Sequence, residues 1–173
     1  MSGLVFPMSM VGFRLGAIGM SARVVSVVIL YDTEGRILLQ HRTKDAPTFP
    51  NYWAFFGGGL EEGETPEQAV RRESLEELAY QLRSPLVLVE KNFVHDGSDY
   101  TMHVFTEHYD GSPITLGEGQ GFAWYFPSET EPLLMNDHDR WVIDHFWVGC
   151  VVRDFHQSDC PRLFSRVCLG SLA

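Results

Sequence analysis

Acidic side chains with a helical spacing mark one stretch in the first half of the chain. Glu73, Glu76 and Glu77 are spaced i, i+3 and i+4, so on a helix they project from one face. Like charges at this spacing destabilise a helix by roughly 0.2–0.5 kcal/mol per pair, and we expect a bound group to offset that repulsion. Mg²⁺ prefers carboxylate oxygens completed by water and phosphate oxygens. This face therefore predicts a divalent-cation site, and the alternative is an ordinary solvated acidic face.

The residues before this face favour the metal site. Three further glutamates directly follow a run of glycines: Glu61, Glu62 and Glu64. A glycine loop can bring its backbone close to a ligand, so we expect Gly58 and Gly59 to border the bound group. A guanidinium fork suits a carboxylate, and Arg72 could pair with Glu64 and tie the loop to the helix. Alternatively, Arg72 is an exposed neutralising charge.

The acidic face needs a helix, and the sequence shows where that helix begins. Thr65 is a typical N-cap residue, Pro66 follows at the first helical position, and Gln68 stands at the third. This is a capping box with the favoured proline. We therefore expect a helix from Pro66 to Leu78.

β-branched and apolar segments predict strands on both sides of this helix. The predicted strands cover residues 23–31, 36–42, 52–56, 85–95, 100–109 and 121–126. Asn136 has the character of an N-cap for a last helix. This order of elements predicts an α/β fold in which a mixed sheet carries helices on both faces.

Bulk composition limits the classes of function. The chain has 173 residues, 45% apolar and 21% charged, which suits one globular domain. Its net charge of −10 disfavours nucleic-acid polymers as partners. A small anionic substrate stays compatible, because a bound divalent metal reverses the local sign of charge.

The two ends of the chain differ from its middle. Residues 1–20 are apolar and glycine-rich, but they are too short and too broken by Arg14 for a membrane span. We expect them to be an N-terminal extension, disordered or misannotated, before a domain at 21–148. Residues 149–173 form a tail of uncertain structure. Its three cysteines lack a CxxC pair, which predicts free thiols and a cytoplasmic location. The apolar ends could also cover a homodimer interface.

A motif joins the glycine loop to the acidic helix. Its pattern is G-x5-E-x7-R-E-x-x-E-E, carried by Gly58, Glu64, Arg72, Glu73, Glu76 and Glu77. This resembles the Nudix box of the Nudix hydrolase family. The resemblance implies an α/β/α sandwich around a mixed β-sheet and hydrolysis of a nucleoside diphosphate linked to another group. It also implies Mg²⁺ or Mn²⁺ at Glu73, Glu76 and Glu77, with Glu64 in support and Arg72 holding the loop against the helix.

A fourth acid comes from outside the helix. The segment "LGEGQGFAW" (116–124) resembles the loop that supplies it in MutT-like members, which implies that Glu118 joins the metal site. The alternative is an ordinary acidic loop residue. Glu77 and Glu118 are the candidates for accepting the proton of the attacking water. Arg42, at a strand end, is a candidate for contacting substrate phosphate or base, or is a surface residue.

Two positions depart from the Nudix pattern. Ser74 stands where an apolar residue is usual, on the packed side of the helix. Ala79 stands where glycine is usual, and a left-handed helix end disfavours alanine. We therefore expect the backbone at Ala79 to end the helix in a conformation other than the left-handed one.

Aromatic and polar residues outside the motif are weaker candidates for binding a base. Trp53, Phe55 and Trp124 could stack on it, although strand aromatics more often belong to the core. Asn136 could read a base edge, but its N-cap role is favoured. The histidines of the second hairpin are interpreted as structural or solvent-facing: His95, His103 and His108.

Three functions remain. The first is a MutT-like nucleoside triphosphate pyrophosphohydrolase that acts on small nucleotides, with sanitising of oxidised nucleotides as one role. The second is a sugar-nucleotide or ADP-ribose pyrophosphatase, which would use the same acids. The third is a domain that binds nucleotide without cutting it. Such a domain would be expected to lose box glutamates, and this chain keeps them all.

Overall fold

The structure, a computed structural model, describes residues 22–147. The predictions for residues 1–20 and 149–173, including the cysteines and a dimer interface at the ends, lie outside the described residues. Within residues 22–147, no helix is long and apolar enough to cross a membrane.

Seven strands form a single sheet. They are β1 (Arg23–Tyr31), β2 (Ile37–His41), β3 (Trp53–Ala54), β4 (Phe56–Gly59), β5 (Leu86–His95), β6 (Ser98–His108) and β7 (Gly121–Tyr125). The predicted strand at 52–56 is thus divided into β3 and β4, and the other predicted strands are confirmed with small shifts at their ends.

Strand β1 is the centre of the sheet. The order is β3-β2-β1-β6-β5, with β4 paired to β1 and β7 paired to β2. Strands β1 and β6 are parallel, whereas the other pairs are antiparallel. The mixed sheet is confirmed.

The two helices cover opposite faces of this sheet. Helix α1 spans Pro66–Leu78, and α2 spans Asp137–Val142 before continuing as a π-helix. Alternate residues of β1 face opposite ways. Val28 lies in the buried cluster that contains Val70 of α1, and Val27 lies in the cluster that contains Val142 of α2. The predicted sandwich of helix, sheet and helix is confirmed.

The C-terminal end of α1 differs from the conformation expected at Ala79. Ala79 adopts the left-handed conformation (φ 49°, ψ 29°), and its N–H donates to Leu75 O at 3.0 Å. The helix therefore ends as a glycine-terminated helix would, and the alternative shape predicted from alanine is wrong. Ser74 is buried, as predicted, and its hydroxyl donates to Tyr80 O at 2.9 Å.

Candidate active site

The N-terminal end of α1 positions the helix that carries the acidic residues. Thr65 Oγ1 accepts a hydrogen bond from the Gln68 N–H at 3.3 Å, and Gln68 Oε1 accepts from the Thr65 N–H at 2.8 Å. The predicted capping box is confirmed. Two of the otherwise unpaired N–H groups at the helix start are satisfied, so the register of the acidic face is set locally.

Arg72 joins the glycine loop to the helix. Its Nε and Nη2 donate to the two oxygens of Glu64 at 2.8 and 3.0 Å, and Nη2 also donates to Gly59 O at 3.0 Å. Its Nη1 donates to Glu73 and Glu76 at 2.8 and 3.1 Å. The predicted pairing of Arg72 with Glu64 is confirmed, and the exposed-charge alternative is wrong. The hydrogen bond from Arg72 holds the pKa of Glu64 below its usual value.

Glu77 is the buried carboxylate of the site. Its Oε2 accepts from the Gly57 N–H at 2.7 Å, and its Oε1 lies 3.4 Å from Gln40 Nε2. Burial above all, together with the negative charges of Glu73 and Glu118, raises the pKa of Glu77 to about 7, although its two donors act in the opposite direction. A carboxylate in this range can hold or release a proton near neutral pH.

Glu73 lies against the glycine loop. A Cβ atom on Gly58 would come within 2.5 Å of Glu73 Oε1, so a larger residue there would require the flexible end of the Glu73 side chain to shift. Burial is the main cause that raises the pKa of Glu73, and Glu76 and Glu118 add to it, while Arg72 opposes the rise. Gly58 therefore borders the acids, and its contact with a bound group stays a prediction.

The loop that carries Glu118 is docked onto the end of α1. The Gly117 N–H donates to Glu77 O at 2.7 Å, and the Thr115 N–H donates to Leu78 O at 2.9 Å. A Cβ atom on Gly117 would meet Glu76 O at 2.2 Å, so glycine is required for this approach. These contacts bring Glu118 close enough to Glu73 and Glu77 to affect the pKa of both.

A cavity of about 310 Å³ opens beside these acids. Its acidic wall consists of Glu73, Glu77 and Glu118. Its aromatic wall consists of Phe49, Phe93, His95, Tyr100 and His138. The predicted border residues Gly58 and Gly59 also line it, as does Arg42. The volume is at the lower end of the range for small-molecule sites.

Rings of the aromatic wall contact one another. Phe93 and His138 stack with centroids 3.6 Å apart, and Phe93 and Tyr100 stack at 5.2 Å. Phe49 lies 4.5 Å from His95. The contact with Phe49 agrees with the interpretation of His95 as structural, and His95 also lines the cavity. Such rings are suited to a flat, aromatic ligand.

The aromatics named from the sequence divide between core and cavity. Phe55 lines the cavity and is also buried in the core. Trp53 stacks on His41 at 4.8 Å and packs against the core cluster on the α2 side, and Trp124 packs against the core cluster on the α1 side. The core interpretation is thus confirmed for Trp53 and Trp124.

A buried polar pair closes the cavity at α2. Asn136 Oδ1 accepts from the N–H groups of His138 and Asp139 at 3.0 and 2.8 Å, which confirms the N-cap. Asp139 Oδ2 accepts from Asn136 Nδ2 at 2.9 Å and from the Phe55 N–H at 3.2 Å. Burial raises the pKa of Asp139 to about 6.

Arg42 anchors the loop after β2. Its Nε donates to Thr48 O at 3.1 Å, and its Nη2 lies 3.4 Å from Thr48 Oγ1. The side chain thus supports the cavity wall, and its contact with a substrate stays a prediction.

The acids do not form a closed metal site. Within residues 22–147, no three His, Cys, Asp or Glu side chains are grouped so that they could hold a metal ion. Glu76 is 60% exposed and bonded to Arg72, and it does not line the cavity. Glu73 is bonded to Arg72 and Glu77 to Gly57.

The acidic wall nevertheless fits a hard divalent cation. Its three carboxylates repel one another and supply only oxygen, the donor that Mg²⁺ and Mn²⁺ accept. Binding through Glu73 would compete with its bond to Arg72, which is a cost that a doubly charged ion can offset.

The sequence did not point to several residues of the site. Gln40 lies within a strand, and Asp139 lies behind a helix cap, so neither carries a local motif. Gly117 is part of a segment with three glycines, and this was the one available signal for a close backbone approach.

Comparison with curated proteins gives a partial sequence match. Over 53 residues the chain is 45% identical to a nucleoside triphosphatase NudI from Enterobacter sp. (strain 638), which covers 31% of this chain and 38% of that relative. The matched part of this chain therefore spans well under half the length of the curated relatives it matches.

Solved structures share the fold. A MutT Nudix hydrolase from Burkholderia pseudomallei matches with a TM-score of 0.63 and 24% identity, over 71% of this chain and 96% of that one. A MutT protein from Methanosarcina mazei Go1 matches with a TM-score of 0.67 and 17% identity, over 74% and 94%. The model of the NUDIX domain matches residues 20–146. With this match over most of its length, the chain belongs to the Nudix family.

Proposed function

We propose that this protein hydrolyses a phosphoric anhydride bond of a nucleoside triphosphate and releases pyrophosphate. One observation carries the proposal: the acidic wall and the aromatic wall line the same cavity. The acids suit a metal-bound diphosphate, and the rings suit a base. The similarity to the nucleoside triphosphatase NudI supports a triphosphate as substrate. The net charge of −10 supports a small nucleotide rather than a polymer.

The proposed cofactor is Mg²⁺ or Mn²⁺. Glu73, Glu77 and Glu118 would hold it, with Glu76 as a further ligand after release from Arg72. Such an ion neutralises charge on the phosphates and lowers the pKa of a bound water.

Glu77 is the preferred proton acceptor. Its Oε2 is already bonded to the Gly57 N–H, whereas its Oε1 has only the long contact with Gln40. In the proposed step, a water oxygen bonds to phosphorus as the bond to the departing pyrophosphate oxygen breaks, and the water proton passes to Glu77. Oε1 is therefore the atom that would accept the proton. Glu118 is the alternative acceptor.

The remaining predicted residues would position the reaction. Arg72 and Glu64 hold the glycine loop against α1 and thereby set the distance between Gly58 and Glu73. Arg42 is the one lysine or arginine in the cavity wall among the described residues, so it is the proposed contact for a substrate phosphate. Phosphoryl transfer depends mainly on such positioning and charge neutralisation.

The test is a product analysis on the purified full chain. The protein is incubated with Mg²⁺ and a panel of nucleoside triphosphates, sugar nucleotides and ADP-ribose, and the products are identified by chromatography. Pyrophosphate and a nucleoside monophosphate from a triphosphate are expected. Monophosphate plus sugar phosphate would replace this function with that of a sugar-nucleotide or ADP-ribose pyrophosphatase. Binding without turnover would indicate a sensor.

A further inference from the structure

Gln120 connects the two loops that border the cavity. Its side-chain Nε2 donates to Arg42 O at 2.7 Å and to Asn51 Oδ1 at 2.9 Å. Its backbone N–H donates to His41 O at 2.8 Å. Gln120 thus uses both hydrogens of its amide to tie the Glu118 loop to the loop after β2.

The Glu118 loop is held at both ends. On one side Gly117 is bonded to Glu77 O of α1, and on the other Gln120 is bonded to His41 O of β2. Glu118 lies between these anchors, one residue from the first and two from the second. A shift of Gln120 is therefore passed to Glu118 by a very short stretch of backbone.

The loop after β2 is held in an unusual conformation. Phe49 and Asn51 both have left-handed backbones, with φ of 50° and 62°. Non-glycine residues persist in this region only where their surroundings hold them. The bonds from Gln120 to Asn51 and from the Asn51 N–H to Thr43 O supply such a hold. Phe49 belongs to the aromatic wall, so this conformation shapes the place proposed for a base.

We infer that Gln120 is a positioning residue that couples occupancy of the aromatic wall to the placement of Glu118 in the acidic wall. A ring that packs against Phe49 acts on Asn51, which acts on Gln120 and thereby on Glu118. Coupling between sites is reciprocal, so metal at the acidic wall also favours a base at the aromatic wall. This inference rests on the proposed function and adds a mechanism by which substrate and metal favour each other's binding.

The probe is chosen so that the metal cannot reach the ligand directly. A nucleoside has no phosphate to bridge to a cation, and an effect on metal affinity that disappears when Gln120 is replaced must pass through the protein rather than through direct contact in the shared cavity. Mn²⁺ binding to the full chain is measured by electron paramagnetic resonance. The protein is titrated with Mn²⁺ first without a nucleoside and then in the presence of guanosine, adenosine, uridine or cytidine. Such coupling requires direct measurement, since proximity alone does not establish it.

Three variants distinguish loss of the hydrogen bond between Gln120 and Asn51 from a general loss of folding. Gln120→Ala removes the donor. Asn51→Gly removes the acceptor while keeping a residue that tolerates the left-handed backbone. Gln81→Ala is the matched control, because Gln81 is exposed and its side chain makes no hydrogen bond within residues 22–147. Thermal unfolding of each variant is recorded alongside.

In the wild type and in Gln81→Ala, at least one nucleoside should tighten Mn²⁺ binding about fivefold. In Gln120→Ala and in Asn51→Gly this factor should fall to near one. A double variant that carries both changes should lose no more of the coupling than either single variant. A wild type that shows no coupling with any of the four nucleosides overturns the inference, as does a Gln120→Ala protein that keeps it. If Mn²⁺ binding or nucleotide hydrolysis is itself missing, the proposed function fails as well. Binding and turnover without coupling remove only the role of Gln120.

Discussion

The acidic wall takes two of its three carboxylates from a single helix, whereas the aromatic wall collects its rings from four separate segments. Glu73 and Glu77 are one helical turn apart on α1. By contrast, Phe49 lies in a loop, Phe93 in β5 and His138 in α2. Residues a turn apart on a helix meet because of local geometry, while residues on distant segments meet only through the whole fold. The acidic wall is therefore encoded largely by local sequence, whereas the aromatic wall depends on the whole fold.

Replacing Glu77 with Gln should have the largest effect, because it removes both the proposed proton acceptor and a proposed metal ligand from the acidic wall. We expect turnover to fall on the order of 10²-fold or more, measured as kcat with saturating Mg²⁺. Glu62→Gln is the matched control, since Glu62 is exposed on the preceding loop. Near-normal kcat in Glu77→Gln would remove this residue from the chemistry.

The same contrast explains what could be predicted from the sequence. Thr65, Pro66 and Gln68 are near neighbours, so their spacing predicted where α1 begins. The pairing of β1 with β6 joins Val25 to Met102, and no local pattern specifies such a partner. The alternation of apolar and polar residues along a strand predicts which face of the sheet each side chain lies on. It does not predict which strand pairs with it.

The site follows the same division between local and distant contacts. Asp139 meets the Phe55 N–H across 84 positions of sequence. Gln40 reaches Glu77 across 37 positions. Both contacts depend on packing of the whole sheet against its helices, so neither residue could be assigned to the site in advance. Glu118 was predicted only because its loop resembles one in MutT-like proteins.

Asp139→Asn tests the polar edge of the aromatic wall through folding stability. Burial raises the pKa of Asp139 to about 6, so the folded state binds the proton more tightly than the unfolded chain does. The stabilisation is complete below about pH 4 and is lost as the pH rises through about 6. The free energy of unfolding of the wild type, relative to Asp139→Asn, should therefore fall by roughly 1–3 kcal/mol between pH 4 and 7. A difference that is flat or rising over this range, in urea unfolding, would contradict the burial of this carboxyl.

Arg72→Lys tests the support of the acidic wall. An ammonium group cannot reproduce the two parallel bonds to Glu64 or reach all four of its present partners. We expect kcat/KM to fall about tenfold, equivalent to about 1.4 kcal/mol. Arg71→Lys is the control, because Arg71 lies on the same helix outside the cavity wall. Equal effects of the two variants would show that Arg72 has no special role.

Ala79→Gly should give the smallest effect, and it should be stabilising. The left-handed backbone costs alanine roughly 1–2 kcal/mol, and the greater flexibility of glycine in the unfolded chain cancels part of that gain. We expect a net gain of about 0.5–1 kcal/mol in thermal or urea unfolding, with unchanged activity. The same change at Ala69, buried inside α1, should instead destabilise by about 1 kcal/mol. Loss of stability in Ala79→Gly would contradict the described exit of α1.

The most direct test of the account is whether an acid from outside the helix shares one divalent ion with the acids of α1. Mn²⁺ affinity is measured by electron paramagnetic resonance for the wild type, Glu118→Gln and the control Glu62→Gln, without nucleotide. We predict that Glu118→Gln binds Mn²⁺ at least tenfold more weakly than the wild type, equivalent to about 1.4 kcal/mol, and that Glu62→Gln is unchanged. Equal affinity of all three proteins, or no binding by the wild type, would contradict a metal site built by Glu73, Glu77 and Glu118.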